Sequence, residues 1–366
     1  MEKSSINPYQ FFSLVVLFEL GTALIVPLGV EAKQDAWLAE LLGMIGGIVL
    51  LLQYYYLYSH YPNLLLTSYL QKILGKYIGY MIALSYILFF IYGASRDLRE
   101  SSELFLIDYS KTPMSVLSGI IILLVCYGVY QGIEVLARAG ELSFILVITI
   151  VVLTFFFTIG SNIVRFENLL PVLENGWKPV ITTAFPDRVF FPYGELICFT
   201  VILPYLNHSE NGMKLGMIAM ILSGLLLTMT IVIEIAVLGV NGWSTSVFPF
   251  LKLVEKINIG GFVQSLEAIA MIVLIVGDFF KVAVFGYAAV ISTTDLFKMK
   301  NHRKAVLPIG VMIFLTSMVA TDNFVEHIEQ GKFVLKSIFP LFEFVIPFLL
   351  VIVVFIRQFI RGNKLH

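Results

Sequence analysis

Charge is what this sequence has least of. Charged residues make up 13% of its 366 positions and hydrophobic ones 58%, whereas water-soluble domains are about 25% charged. So thin a supply cannot cover a solvent-facing surface, and nothing in the chain reads as a soluble domain. The charges nearly cancel, at a formal net of −1, which gives no argument for nucleic acid. Cysteine is scarce as well. Cys126 and Cys198 both lie inside apolar runs, so they read as packing residues rather than a disulfide framework. His60, His208, His302, His327 and His366 are scattered without metal-ligand spacing. Neither a phosphate-binding glycine loop nor a dinucleotide-binding glycine pattern occurs, which leaves ATP-driven transport and dinucleotide enzymes unsupported. No catalytic constellation, metal or cofactor is expected.

What the sequence has instead is apolar run length, as from Gln10 to Val30 and from Ala36 to Leu57. Crossing the hydrocarbon core takes roughly 20 apolar helical residues. A backbone inside lipid must satisfy its own polar groups, which leaves helices or a closed barrel, and the runs lack the period-2 alternation of barrel strands. The expectation is an all-α integral membrane protein, a single transmembrane domain over 1–366. About ten helices are expected, at 9–30, 36–57, 77–107, 114–131, 137–160, 187–206, 213–240, 262–294, 305–320 and 333–358. The first run exceeds the roughly 7–15 apolar residues of a signal peptide, so it reads as a retained span. The stretch Val247–Ile257 is amphipathic and reads as a helix on the membrane surface.

Orientation follows from lysine and arginine in short loops. Lys298, Lys300, Arg303 and Lys304 cluster in one loop, and Arg357, Arg361 and Lys364 in the tail. With ten spans, these segments and the N-terminus share one side, expected to be cytoplasmic. The opposite loops carry more acids, including Glu31, Asp35, Glu167 and Glu174.

Spans one and six share an interruption. The first is broken at Glu19-Leu20-Gly21-Thr22-Ala23 and again at Pro27, the sixth at Phe191-Pro192-Tyr193-Gly194-Glu195. Two Gly/Pro-interrupted spans, five apart in a ten-span chain, predict two inverted five-helix repeats, over about 9–160 and 187–358, with spans 1 and 6 broken. Broken helices leave backbone groups unpaired at mid-depth, so they line cavities. The half-helix beginning near Ala23 would offer N–H groups to a carboxylate, and the carbonyls near Pro192 and Tyr193 would suit an ammonium or hydroxyl donor. The candidate ligand-binding residues are Gly21, Thr22, Ala23, Tyr193 and Gly194, with Phe89, Gly93 and Phe280 closing the cavity.

Charges inside apolar runs are expensive and point to function. Glu19 precedes the first break. Glu195 falls in the first turn after the second, where a carboxylate complements the helix dipole. Asp278 and Lys281, three residues apart on one helix face, read as a charge pair, or as an ion site in which Lys281 supplies a fixed positive charge. Arg96, Asp97, Arg99, Glu100 and Glu103 crowd one end of span three as a salt-bridged segment.

These features resemble the B subunits of spore germination receptors. The resemblance lies in Leu20-Gly21-Thr22-Ala23-Leu24-Ile25-Val26-Pro27 and Pro192-Tyr193-Gly194-Glu195-Leu196. It extends to Tyr61-Pro62-Asn63, Gly75-Lys76-Tyr77-Ile78-Gly79, Asn168-Leu169-Leu170-Pro171-Val172-Leu173 and Phe285-Gly286-Tyr287. It runs over essentially the whole chain. Such a resemblance implies a leucine-transporter-like fold similar to amino-acid/polyamine/organocation transporters, with the ligand at the two breaks. It implies a non-enzymatic subunit in the spore inner membrane, beside receptor A and C subunits, that senses a small-molecule nutrient such as an amino acid or sugar. Ala23 stands where the family's first break usually has a second glycine. An ion-coupled secondary amino-acid transporter is the competing expectation.

Overall fold

The computed structural model describes residues 5–107, 109–207, 211–258, 266–321 and 323–362. The beginning of the expected eighth span, 262–265, and Lys364 lie outside the described residues. Helix α1 (Pro8–Leu20) starts on a reciprocal cap. Asn7 accepts from the Gln10 N–H at 2.8 Å, and the Gln10 side chain accepts from the Asn7 N–H at 3.0 Å. Two donors that the first turn leaves free are thereby satisfied. The helix ends at Gly21 (φ −31°, ψ −110°), and a single 3₁₀ turn, Thr22–Leu24, follows. Pro27 has no N–H with which to resume the ladder. A second 3₁₀ segment, Val30–Asp35, leads into α2 (Ala36–His60).

Helix α3 (Leu66–Leu74) was not expected. Its buried residues Leu66, Tyr69, Leu70 and Ile73 lie on one face, and Gly75, at φ +86°, turns the chain into α4 (Lys76–Leu106). Positive φ costs glycine little, which suits it to this corner. The chain continues as α5 (Met114–Gln131) and α6 (Ile133–Gly160). Span six is broken more thoroughly than span one. After α7 (Trp177–Thr183) come a wide turn at Ala184–Arg188, an interruption at Phe191-Pro192, and 3₁₀ segments at Tyr193–Val201 and Leu203–Tyr205. Then follow α8 (Gly212–Thr245), α9 (Pro249–Val254), α10 (Glu267–Leu296) and α11 (Arg303–Val319). The last span is α12 (Phe324–Pro340), a wide turn at Leu341–Val345 and α13 (Ile346–Gly362), starting earlier than the expected 333. Helix α9 matches the amphipathic stretch, burying Phe250, Leu251, Leu253 and Val254 while Lys252 and Glu255 stay exposed.

Among the described residues, seven helices are long and apolar enough to cross a membrane. The expected first, sixth and ninth spans fall short of that measure for visible reasons. The first two are broken, and α11 has 17 residues.

Helix α10 packs most extensively on α4, deep in the bundle. The broken segments lie beside them. Helix α2 approaches span six so closely that a Cβ at Gly43 would collide with Arg188, and one at Gly47 with Tyr193. The start of the chain joins the end of span six. Ile6 N–H donates to the Tyr205 carbonyl and Asn207 N–H to the Ile6 carbonyl, each at 2.9 Å. The outer surface is studded with exposed Leu, Ile, Val and Phe, among them Leu142, Phe156 and Phe355. Lipid is the solvent that suits such a surface.

Candidate functional site

Lys281 joins the two breaks. It stands on α10 with no exposed surface, and its four-carbon stem runs along Gly21, where an added Cβ would lie 3.0 Å from the Lys281 Cβ. Glycine at the first break is what lets that stem pass. The ammonium donates to Thr22 Oγ1 at 2.7 Å and lies 2.7 Å from Glu195 Oε2 and 3.9 Å from Asp97 Oδ1. It also sits 4.2 Å from the ring centre of Phe191, a favourable placement over an aromatic face. Span one, span six, α4 and α10 thus meet at one positive charge.

This corrects the expected Asp278–Lys281 pair. Both carboxylate oxygens of Asp278 are buried without a hydrogen-bond partner, and its side chain makes no ion pair with Lys281. The long lysine reaches across to the breaks, and the short aspartate one turn earlier cannot follow. Glu195, read from sequence as a dipole complement, is instead the counterion.

Above this junction lies a cavity of about 390 Å³. Its deep wall includes Gly93, Asp97, Phe191, Glu195 and Phe339, and its flanks Arg96, Glu100, Asp187 and Arg188. Glu31 and Lys332, about half exposed, pair at 3.0 Å at its rim. The charged end of α4 supplies one wall. Arg96 lies 3.8 Å from Glu100, and Glu100 meets His327 Nε2 at 3.0 Å. Arg99 pairs with Glu103 at 3.0 Å. The expected salt-bridged segment is present, and it is largely buried.

Of the residues expected to hold ligand, Gly93 lines this cavity and the others do not. Thr22 donates to Asp97 Oδ1 at 3.2 Å while accepting from Lys281, which places it under the floor. Ala23 is buried beside it. Phe89 stacks on Phe342 at 4.8 Å and packs edge-on against Phe339, so it backs the wall. Tyr193 donates to Glu40 Oε1 at 2.7 Å, facing α2. The Gly194 carbonyl accepts from Tyr54 at 2.9 Å, and a Cβ there would strike Glu343. Phe280 turns toward α6, where a Cβ at Gly140 would lie 3.4 Å from its ring.

Arg188 and Phe339 are wall residues that sequence reasoning passed over, and Phe191 was read only as part of the second break. Arg188 follows Pro186-Asp187 at the expected start of span six, where a basic residue reads as an interface anchor. Only the bend at Ala184–Arg188 turns it inward. No group of three or more His, Cys, Asp or Glu side chains able to hold a metal occurs among the described residues.

A family model described as "Spore germination protein" matches residues 5–325. Spore germination protein KB of Bacillus subtilis is 37% identical over 355 residues, covering 94% of this chain and 95% of that protein. Spore germination protein A2 of the same organism is 26% identical, covering 96% of each. Among solved structures, MhsT in complex with L-phenylalanine superposes with a TM-score of 0.74 at 12% identity, over 94% of this chain and 88% of that one. Mhp1, a nucleobase-cation-symport-1 family transporter, gives 0.63 at 14% identity, over 93% and 75%. Likeness at such low identity concerns the fold, and the fold is that of a membrane transporter.

Proposed function

The chain belongs to the spore germination protein family, and we propose that it is the nutrient-binding B subunit of a germination receptor, taking a small amino acid or sugar into the cavity above Lys281. The observation that carries this reading is the position of the cavity. It ends at Asp97 and Glu195, which hold the ammonium joining the two broken spans. A ligand seated there touches the elements whose relative placement a signal would have to change. Its volume suits one small molecule.

Ten spans in two inverted repeats, over about 9–160 and 187–358, account for the paired breaks. The cavity then opens on the side opposite the Lys298–Lys304 loop, away from the cytoplasm in the spore inner membrane, with both termini cytoplasmic. The A and C subunits of the receptor would read the movement of the broken spans. Lys281 also favours the receptor over an ion-coupled amino-acid transporter. A buried lysine ammonium held by Glu195 and Thr22 already supplies the positive charge at the junction of the breaks, without a mobile cation.

The test is to narrow the cavity without touching the junction. Val26→Trp and Leu335→Trp, both on the cavity wall, should raise the nutrient concentration for half-maximal germination at unchanged protein level in the spore membrane. Unchanged half-maximal concentrations at normal abundance would place nutrient recognition elsewhere.

A further inference from the structure

Most of the charges lining the cavity are already answered by the protein. Arg96 donates to the His327 carbonyl at 3.1 Å and lies beside Glu100. Lys332 pairs with Glu31, Glu100 with His327, and Glu195 with Lys281. Arg188 has the Glu40, Asp187 and Glu31 carboxylates in its electrostatic surroundings, but its fork is not fully hydrogen-bonded. Its residue is 6% exposed, yet its Nε and Nη1 have no hydrogen-bond partner. Its guanidinium rests 5.6 Å from the ring centre of Phe191. No hydrogen bond joins it to neighbouring Asp187, whose Oδ1 is also unpartnered. On the floor, Asp97 uses Oδ1 for Thr22 and Lys281 and leaves its buried Oδ2 without a partner.

A buried guanidinium with idle donors is costly unless something supplies acceptors. Its planar fork matches a carboxylate better than any neutral group. We infer that Arg188 is the anion-recognising residue of this cavity, and that the nutrient presents a carboxylate to Arg188 and an ammonium group to Asp97. The inference rests on the receptor reading above and narrows it to a zwitterion. The apolar part of the ligand would lie against Phe191 and Phe339. A sugar carries neither charge and would leave both groups unanswered. Recognition by side chains also differs from the expectation that the backbone at Gly21–Ala23 holds the carboxylate.

The experiment uses spores in which this chain, with its A and C partners, forms the sole nutrient receptor. Germination is measured against the standard amino acids, their amides, the corresponding deamino acids, and D-glucose. An amino acid should be effective, and its amide and deamino form should each be weaker by about tenfold or more, the weight of one charged hydrogen bond. Arg188→Gln should weaken the amino acid until it matches its amide, while Arg188→Lys should retain part of the preference. Receptor abundance is read on the same spores, and the acid-against-amide comparison on the unaltered receptor does not depend on any variant folding. Responses to glucose and to no carboxylate, or an amide as effective as its acid, would overturn the inference. So would an amino-acid response that Arg188→Gln leaves unchanged at normal abundance. If Val26→Trp and Leu335→Trp still shift the response in those cases, the cavity remains the receptor site and only the zwitterion assignment fails.

Discussion

Replacing Lys281 by methionine removes the one charge that four segments share. At 2.7 Å from Glu195, Coulomb attraction at an effective dielectric near 20 is about 6 kcal/mol. The Thr22 hydrogen bond adds about 1.5–3 kcal/mol because its donor is charged. Desolvation of the ammonium and carboxylate offsets much of this. Removing one partner, however, leaves Glu195 and Asp97 buried beside each other without their cation, and such one-sided deletions cost about 3–5 kcal/mol. Lys281→Met should therefore lower the amount of protein in the membrane and the melting temperature of the detergent-solubilised chain. The choice of second substitution makes the test specific. Lys281→Met with Glu195→Gln should recover most of the loss, because the stranded charge has gone too. Lys281→Met with Asp278→Asn should remain as poor as Lys281→Met alone. Immunoblots of membrane fractions and thermal-shift curves report both. Recovery by the Asp278 change and not by the Glu195 change would refute the pairing, and with it the junction between the breaks.

Three further outcomes are expected. Cysteines placed at Asn301 and Asn323, both exposed, should be labelled from opposite sides of the membrane in an accessibility assay, and same-side labelling would remove the ten-span arrangement. Gly194→Val should act through protein level rather than dose–response, since its side chain would meet Glu343 and Leu50 behind the cavity; immunoblots and germination curves on the same spores separate the two. Glu31→Gln should shift the melting temperature little, because a half-exposed pair with Lys332 contributes only about 0–1 kcal/mol.

Helix positions were the most legible part of the sequence, because lipid imposes one long apolar run per crossing. Helices α4, α5 and α10 begin or end within a few residues of where hydropathy puts them. Gly21 and Pro192 marked the breaks. The start of the last span was placed too late, since Glu326, Glu329 and Lys332 make the beginning of α12 look like a loop, although those residues serve the cavity rim or water. Helix α3 carries a signal in the spacing of Leu66, Tyr69, Leu70 and Ile73, but at nine residues it is too short to register as a membrane-length apolar run. The site was harder to read. For Lys281, the nearest carboxylate along the chain is Asp278, and the one it meets belongs to another span. Choosing between them needs the packing of four segments. Arg188 points into the cavity only because span six bends at Ala184–Arg188, and no local rule sets the direction of such a bend.

The backbone link between Ile6 and the end of span six has a practical side. It fastens Ile6, just ahead of α1, to the end of broken span six, so any movement of one broken span against the other must carry that link along or break it. Cargo grafted next to Ile6 would load that link itself. A fusion there that silences germination would then be acting on this junction of the two broken spans rather than on the cavity.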